Sequence, residues 1–219
     1  MATLRTLIAL FFLFLSFNIA FSQSTVNAGL SYGSFNYDIS GTKYTGDGGV
    51  VNLDGQMSSS LNYSLSISDG KFDDVVYNNS EGSVTYMVLP NIGVDLMGSQ
   101  IKLGTVQETD TSLGVSYNLY ASSLDMKVFV GSDINNYGKF YTYGTKLNLS
   151  VTQGSRLTLS YKTEDRKQKA TTMDARFVYD LTSNLGLNLG YKSTETKNAA
   201  GTAVVLKGNT TYGGIVYKF

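Results

Sequence analysis

Apolar and polar residues alternate along almost the whole chain from Thr25 onward. In segment 185–192, leucine and tyrosine at odd positions alternate with glycine, asparagine and lysine at even positions. Because successive side chains of a β-strand point to opposite faces, this period indicates strands with one apolar and one polar face. The same pattern recurs at 61–67, 113–119, 124–130, 147–151 and 157–162. No comparable stretch has helical spacing, so the pattern predicts an all-β chain.

The N-terminus is typical of a secretory signal peptide. Arg5 precedes the apolar run LIALFFLFL, and the small residues Ala20 and Ser22 suit a cleavage site directly after them. The run is short for a membrane-spanning helix, and a retained N-terminal anchor is the alternative. We therefore predict a cleaved signal peptide at 1–22 and an exported mature domain at 23–219. That domain contains no cysteine, so no disulfide stabilises it.

Turn signals divide the mature domain into twelve segments of about ten residues each. Short turns are predicted at 58–60, 90–91, 122–123, 153–155 and 182–184. Long loops are predicted at 38–49, 68–81, 98–110, 131–139, 164–170 and 193–202. This alternation is typical of an antiparallel, up-and-down transmembrane β-barrel whose termini lie on the periplasmic side. Ten strands are the alternative, because the apolar phase changes within 92–105, where we expect a β-bulge or an early loop.

The solvent that meets the apolar face separates a membrane barrel from a soluble sandwich. Many polar faces carry small residues, such as Ser64, Ser66, Gly114 and Ser116, which suits a crowded or water-filled interior. Tyrosines lie near the ends of the apolar rows, where membrane barrels carry aromatic girdles: Tyr32, Tyr117, Tyr161, Tyr179, Tyr191 and Tyr217. Both features favour lipid outside the barrel. An exported soluble β-sandwich is the alternative.

The last residues, IVYKF, resemble the final strand of bacterial outer-membrane β-barrel proteins. Ile215, Tyr217 and Phe219 share one face, and the strand closes on an aromatic ring. The resemblance implies a porin-like barrel in the outer membrane of a Gram-negative bacterium, in contact with membrane lipid and lipopolysaccharide. It also implies that the barrel-assembly machinery reads Tyr217 and Phe219. No subfamily is indicated, so no specific function follows from it.

The composition argues against an enzyme. The resemblance implies that enzymes of this architecture use histidine as a general base, and the chain has neither histidine nor cysteine. The adjacent carboxylates at 73–74 and 164–165 are interpreted as solvated loop charge. No metal or cofactor is expected, because the acidic stretch 69–81 lacks the spacing of a calcium loop. The basic residues at 166–169 are too few to indicate nucleic-acid binding.

Charged residues on the polar faces are the candidate functional residues. If a barrel forms, they point into its lumen and set its selectivity: Asp54, Asp95, Asp125, Lys127, Lys146, Arg156, Lys162, Asp174, Arg176, Lys192 and Lys218. The chain up to Asp110 is acidic and the chain from Thr111 is basic, although the net charge is zero. This predicts a field across the lumen, or else acid–base pairs that fill it.

Three functions follow from these alternatives. The first is an outer-membrane channel for passive diffusion of small hydrophilic solutes, which weakly favours anions because lysine and arginine dominate the later strands. The second is a closed structural or surface-interaction barrel without transport activity. The third is a secreted soluble β-protein.

Overall fold

The structure, a computed structural model, describes residues 25–72, 75–121, 123–135, 138–165, 169–197, 200 and 203–219. The predicted signal peptide lies outside these residues. In the part of the chain described, no helix is long and apolar enough to span a membrane. The strands are β1 (Thr25–Ile39), β2 (Thr42–Ser58), β3 (Leu61–Phe72), β4 (Val75–Leu89), β5 (Ile92–Leu103), β6 (Val106–Tyr120), β7 (Leu124–Asn135), β8 (Gly138–Thr152), β9 (Ser155–Asp165), β10 (Ala170–Asp180), β11 (Leu185–Lys197) and β12 (Val204–Lys218).

The twelve strands form one closed antiparallel barrel. Each strand pairs with its neighbours in sequence, and β1 also pairs with β12 from Asn27–Lys218 to Ile39–Leu206. Closure satisfies the backbone hydrogen bonds that an open sheet would leave at two edges. The prediction of an all-β, up-and-down barrel with twelve strands is therefore confirmed, and the alternative of ten strands is wrong.

The rim that contains the start of β1 and the end of β12, here called the terminal rim, has the short turns that were predicted. The strands on either side are separated by residues 59–60, 90–91, 121–123, 153–154 and 181–184. Backbone hydrogen bonds join these turns to the next hairpin; for example, Asn118 N donates to Asn91 O, and Asp180 N donates to Gly154 O. The terminal rim is thus a continuous bonded ring.

At the opposite rim, here called the distal rim, the prediction of long loops is wrong for 38–49, 68–81, 98–110 and 131–139, which lie mostly in strands. Residues 166–168, 198–199 and 201–202 of the other two predicted loops lie outside the described residues. Only Ser40 and Gly41 connect β1 to β2, and both have positive φ, at 52° and 90°. This combination is required by a two-residue type I′ hairpin turn. Two residues also separate β3 from β4, β5 from β6 and β7 from β8, whereas four separate β9 from β10 and six separate β11 from β12.

Opposite charges face each other on the outer face where the strands continue to the distal rim. Asp38 on β1 stands opposite Lys43 on β2 and Lys207 on β12, and Lys207 stands opposite Glu195 on β11. Opposite charges in facing positions stabilise antiparallel strands. Segments rich in glycine and charge, which are typical of loops, are therefore strand extensions in this protein.

The bulge expected within 92–105 is also a wrong prediction. β5 pairs with β6 in unbroken register from Ile92–Tyr117 to Leu103–Val106. The backbone alternation continues unchanged along β5, and only the type of side chain on each face changes. The apolar Ile101 therefore lies on the same face as Asp95. Register shifts do occur beside three terminal-rim turns, at the ends of β2, β4 and β8.

The apolar face of the strands is the outer face of the barrel. On β11, Leu187, Leu189 and Tyr191 are exposed, whereas the alternating Gly186 and Asn188 are buried. The apolar positions of this strand, 185–191, extend over roughly 20 Å, close to the apolar band of about 25 Å in outer-membrane barrels. The six tyrosines expected at the ends of the apolar rows are all exposed.

Candidate functional site

Two ion pairs identify the inner face of the strands. Arg176 Nη1 on β10 lies 3.7 Å from Asp54 Oδ1 on β2. Lys192 Nζ on β11 lies 2.8 Å from Glu81 Oε1 on β4. These strands are four and five places apart around the barrel, so both contacts cross its interior. We call these four residues the lumen bridges.

The eleven residues predicted to line the lumen lie on this inner face. Side chains alternate between faces along each strand, and the strand register places all eleven in the same set as the lumen bridges. They are Asp54 on β2, Asp95 on β5, Asp125 and Lys127 on β7, Lys146 on β8, Arg156 and Lys162 on β9, Asp174 and Arg176 on β10, Lys192 on β11, and Lys218 on β12. Their effect on selectivity stays a prediction.

Neighbouring amides orient the two bridging carboxylates. Asn27 Nδ2 donates to Asp54 Oδ2 at 2.9 Å, and Asn79 Nδ2 donates to Glu81 Oε1 at 2.9 Å. Each carboxylate therefore has an amide donor on its own side of the barrel and a cation from the opposite side. Charge-assisted hydrogen bonds of this kind fix the position of both carboxylates.

The lumen bridges leave open space around themselves. The side chains of Asp54 and Glu81 are each 43% exposed, that of Lys192 is 29% exposed and that of Arg176 is 21% exposed. Because these groups meet inside a closed barrel, the exposed surface faces an internal space that admits water. The interior at this level is polar and is not closely packed.

A third ion pair does not cross the lumen but lies along the barrel wall, between strands that are two places apart. Lys127 Nζ on β7 lies 2.5 Å from Asp95 Oδ1 on β5, and Thr85 Oγ1 donates to the same oxygen at 2.5 Å. The Asp95 side chain is only 3% exposed. The Asp95 carboxylate is therefore buried against the wall, where it fixes Lys127 rather than meeting solute.

Basic side chains are concentrated on the wall formed by β7–β11. Lys127 stands directly opposite Lys146, a placement that costs stability because like charges repel. Among the described residues, Lys146 and Arg156 have no carboxylate within ion-pair distance. Lys162 pairs with Glu164 on the same strand, at 2.7 Å. This wall therefore offers two cations outside ion-pair distance of the described carboxylates, although acidic residues lie on the same inner face: Asp125, Asp133, Glu164, Asp174 and Asp180.

The facing wall, formed by β1–β6, is acidic. The inner-face charges that the register gives these strands are all acidic: Asp54, Glu81, Asp95, Glu108 and Asp110. The basic residues of the same strands, Lys43, Lys71 and Lys102, fall on the outer face. The acidic half of the chain thus forms a wall whose inner-face charges are all acidic, whereas the basic half carries charges of both signs on its inner face.

Glu81 is a lining residue that the sequence interpretation does not identify. The sequence interpretation places residues 68–81 in an acidic loop. In the structure, Glu81 is in β4 and Asp69 is in β3, and the two residues lie on opposite faces. The carboxylates at 73–74 lie outside the described residues. In the part of the chain that the structure describes, no group of three or more acidic side chains could hold a metal ion.

An apolar cluster on the inner face is a second feature that the sequence does not reveal. The buried side chains of Phe35, Val50, Phe72 and Tyr77, contributed by β1 to β4, pack together near the distal rim. The ring centroids of Phe35 and Tyr77 are 5.6 Å apart, and those of Phe72 and Tyr77 are 5.5 Å apart. We call these four residues the inner aromatic cluster. It occupies the part of the lumen next to β1–β4.

The predicted assembly residues, Tyr217 and Phe219, lie on the outer surface. Their rings contact each other at a centroid distance of 4.6 Å, and both are exposed. Phe219 N donates to Val26 O, so that the closing pair of β1 and β12 continues to this residue. Recognition of the two rings by the barrel-assembly machinery stays a prediction.

Comparison with solved structures identifies the fold. The NanC porin superposes with a TM-score of 0.60 at 10% identity, covering 87% of this chain and 100% of that porin. The KdgM porin, solved in complex with disordered oligogalacturonate, gives 0.55 at 11% identity, covering 87% and 99%. An outer membrane channel from Pseudomonas putida F1 gives 0.52 at 11% identity, covering 90% and 95%.

No protein-family model matches the chain, and no curated protein matches it. Similarity at these identities shows the fold alone. The twelve-strand closed barrel of this chain is the fold of outer-membrane porins, and its predicted location, the bacterial outer membrane, agrees with that fold.

Proposed function

We propose that this protein is an outer-membrane channel through which small hydrophilic solutes diffuse passively. One observation carries the proposal: the charged side chains that meet inside the barrel keep between 21% and 43% of their surface exposed. A polar lumen that admits water at its most crowded charged level supports the passage of hydrated solutes. The porin fold of the chain supports the same function.

Any anion preference would arise on the basic wall. Lys146 and Arg156 have no acid within ion-pair distance among the described residues, so anions would follow β8 and β9. The acidic wall opposes this effect, and Asp125 adds negative charge on β7. We therefore propose a selectivity that favours anions only weakly.

Single-channel recording in planar bilayers tests the proposal. Protein whose folding has been verified by heat-modifiable migration on a denaturing gel should give discrete current steps. In a potassium chloride gradient, the reversal potential should have the sign of a small anion preference. Folded protein without current would refute the channel, whereas a cation-selective current would refute only the anion preference.

A closed barrel without transport is the second candidate function. The inner aromatic cluster and the lumen bridges favour it. The cluster reduces the open cross-section near the distal rim, and the bridges cross the lumen farther toward the terminal rim. In that case folded protein carries no current, and variants that remove the bridges or the cluster carry no current either. Current that rises when these groups are removed would exclude this candidate.

A further inference from the structure

We infer that the lumen selects zwitterionic solutes, that is, small molecules with one cationic and one anionic group. The inference rests on the proposed channel function and names its substrate class. It follows from the way charge is distributed around the lumen bridges rather than from the total charge of the lumen.

The first step is the separation of charge across the lumen. The two acids of the bridges, Asp54 and Glu81, extend from β2 and β4, and the two bases, Arg176 and Lys192, extend from β10 and β11. A solute at this level therefore has the two bridge carboxylates on one side and the two bridge cations on the other, where Asp174 also stands opposite Lys192. Such a transverse field aligns a solute that has opposite charges at its two ends.

The second step concerns what a solute must displace. Glu81 and Lys192 are in contact at 2.8 Å, so a solute that passes between them separates the pair. A lone anion can replace Glu81 at Lys192 but leaves Glu81 without its cation, and a lone cation has the converse effect. Separating a partly desolvated pair is unfavourable when one charge stays uncompensated.

A zwitterion avoids that cost. Its cationic group pairs with Glu81 while its anionic group pairs with Lys192, so both side chains exchange one partner for another. The Asp54–Arg176 pair, at 3.7 Å, is longer and offers a second position for the same exchange. A neutral solute separates the pairs without compensation, so we expect it to pass more slowly than a zwitterion of equal size.

Swelling of proteoliposomes compares the two kinds of solute directly. Threonine and erythritol have the same number of non-hydrogen atoms, but only threonine is zwitterionic at neutral pH. At low ionic strength, and after subtraction of the rate for protein-free liposomes, threonine should enter about two to five times faster than erythritol, the range expected for exposed ion pairs. High salt should reduce this ratio because it screens the pairs.

A double variant removes the bridge without changing the net charge. Glu81→Gln combined with Lys192→Gln should bring the threonine-to-erythritol ratio close to one and should raise the rate for erythritol. The matched control is Glu195→Gln with Lys207→Gln, which neutralises a facing pair on the outer surface. It should keep the wild-type ratio. Heat-modifiable migration verifies that each variant is folded.

The outcomes separate the two proposals. If folded wild-type protein admits neither solute and carries no ions, the channel function itself is wrong. If erythritol enters as fast as threonine, or if the bridge variant keeps the wild-type ratio, the channel function survives and the zwitterion inference is overturned.

Discussion

At the scale of single residues, the buried Asp95 carboxylate depends on one cation. Its side chain is 3% exposed, and its Oδ2 atom has no hydrogen-bond partner in the described part of the protein. Lys127 and Thr85 both bond to the other oxygen, Oδ1. A carboxylate that is buried in this way is stable only while its cation stays in place.

Lys127→Met should therefore destabilise the barrel by about 2–4 kcal/mol, because it leaves a buried charge unpaired. The lower part of that range reflects the 26% exposure of the Lys127 side chain. Urea titration of the protein in detergent micelles, followed by the loss of heat-modifiable migration, measures the change in the free energy of unfolding.

The control for this prediction is the double variant Asp95→Asn with Lys127→Met. It removes both charges and should recover most of the loss, since an amide is far less costly to bury than a carboxylate. A double variant as unstable as Lys127→Met alone would show that Lys127 stabilises the wall by packing rather than by its charge.

At the scale of strands, the outer face changes character along its length. On β11, Leu187, Leu189 and Tyr191 are followed toward the distal rim by Ser193 and Glu195 on the same face. The apolar part matches the hydrophobic thickness of an outer membrane. The polar part extends beyond it, where facing charges rather than lipid stabilise the ladder.

Leu189→Arg should reduce the stability of the barrel in lipid vesicles by about 2–4 kcal/mol, because it places a charge within the lipid-facing band. Ser193→Arg changes the second outward-facing residue after Leu189 on the same strand, and it should cost less than about 1 kcal/mol. Equilibrium unfolding in urea, with vesicles present, measures both. Equal costs at the two positions would contradict the assignment of the band edge between them.

The strand centres could be predicted from the sequence, but the distal strand ends could not. Period-2 alternation with leucine and valine identifies a strand because lipid requires an apolar outer face. Beyond the membrane that requirement ends, and Asp38, Lys43 and Lys207 resemble loop residues although they pair across strands. Their strand character depends on partners in the neighbouring strands, which local composition does not contain.

At the scale of the whole molecule, closure decides which side chains meet. The inner face of each strand could be predicted from its alternation, which is why the eleven lining residues lie where the polar phase puts them. The contacts between Asp54 and Arg176, or Glu81 and Lys192, join residues distant in sequence. They depend on the strand number and on the register of the whole barrel, so no local pattern predicts them.

Closure also makes the lumen asymmetric. The inner aromatic cluster occupies the side formed by β1 to β4 near the distal rim, beside the acidic wall. Solutes are therefore displaced toward β7–β11, where Lys146 and Arg156 lie. On this account the cluster both stabilises the barrel and restricts the passage, so that removing part of it should change stability and conductance in opposite directions.

Phe35→Ala tests this coupling, because Phe35 is 2% exposed and its ring packs against those of Phe72 and Tyr77. We expect a loss of about 3 kcal/mol in the free energy of unfolding, together with a larger single-channel conductance in planar bilayers. Phe177→Ala is the matched control, since Phe177 lies exposed on the outer face of β10 and should leave the conductance unchanged. A less stable Phe35→Ala variant with wild-type conductance would mean that the cluster lies outside the path that solutes follow.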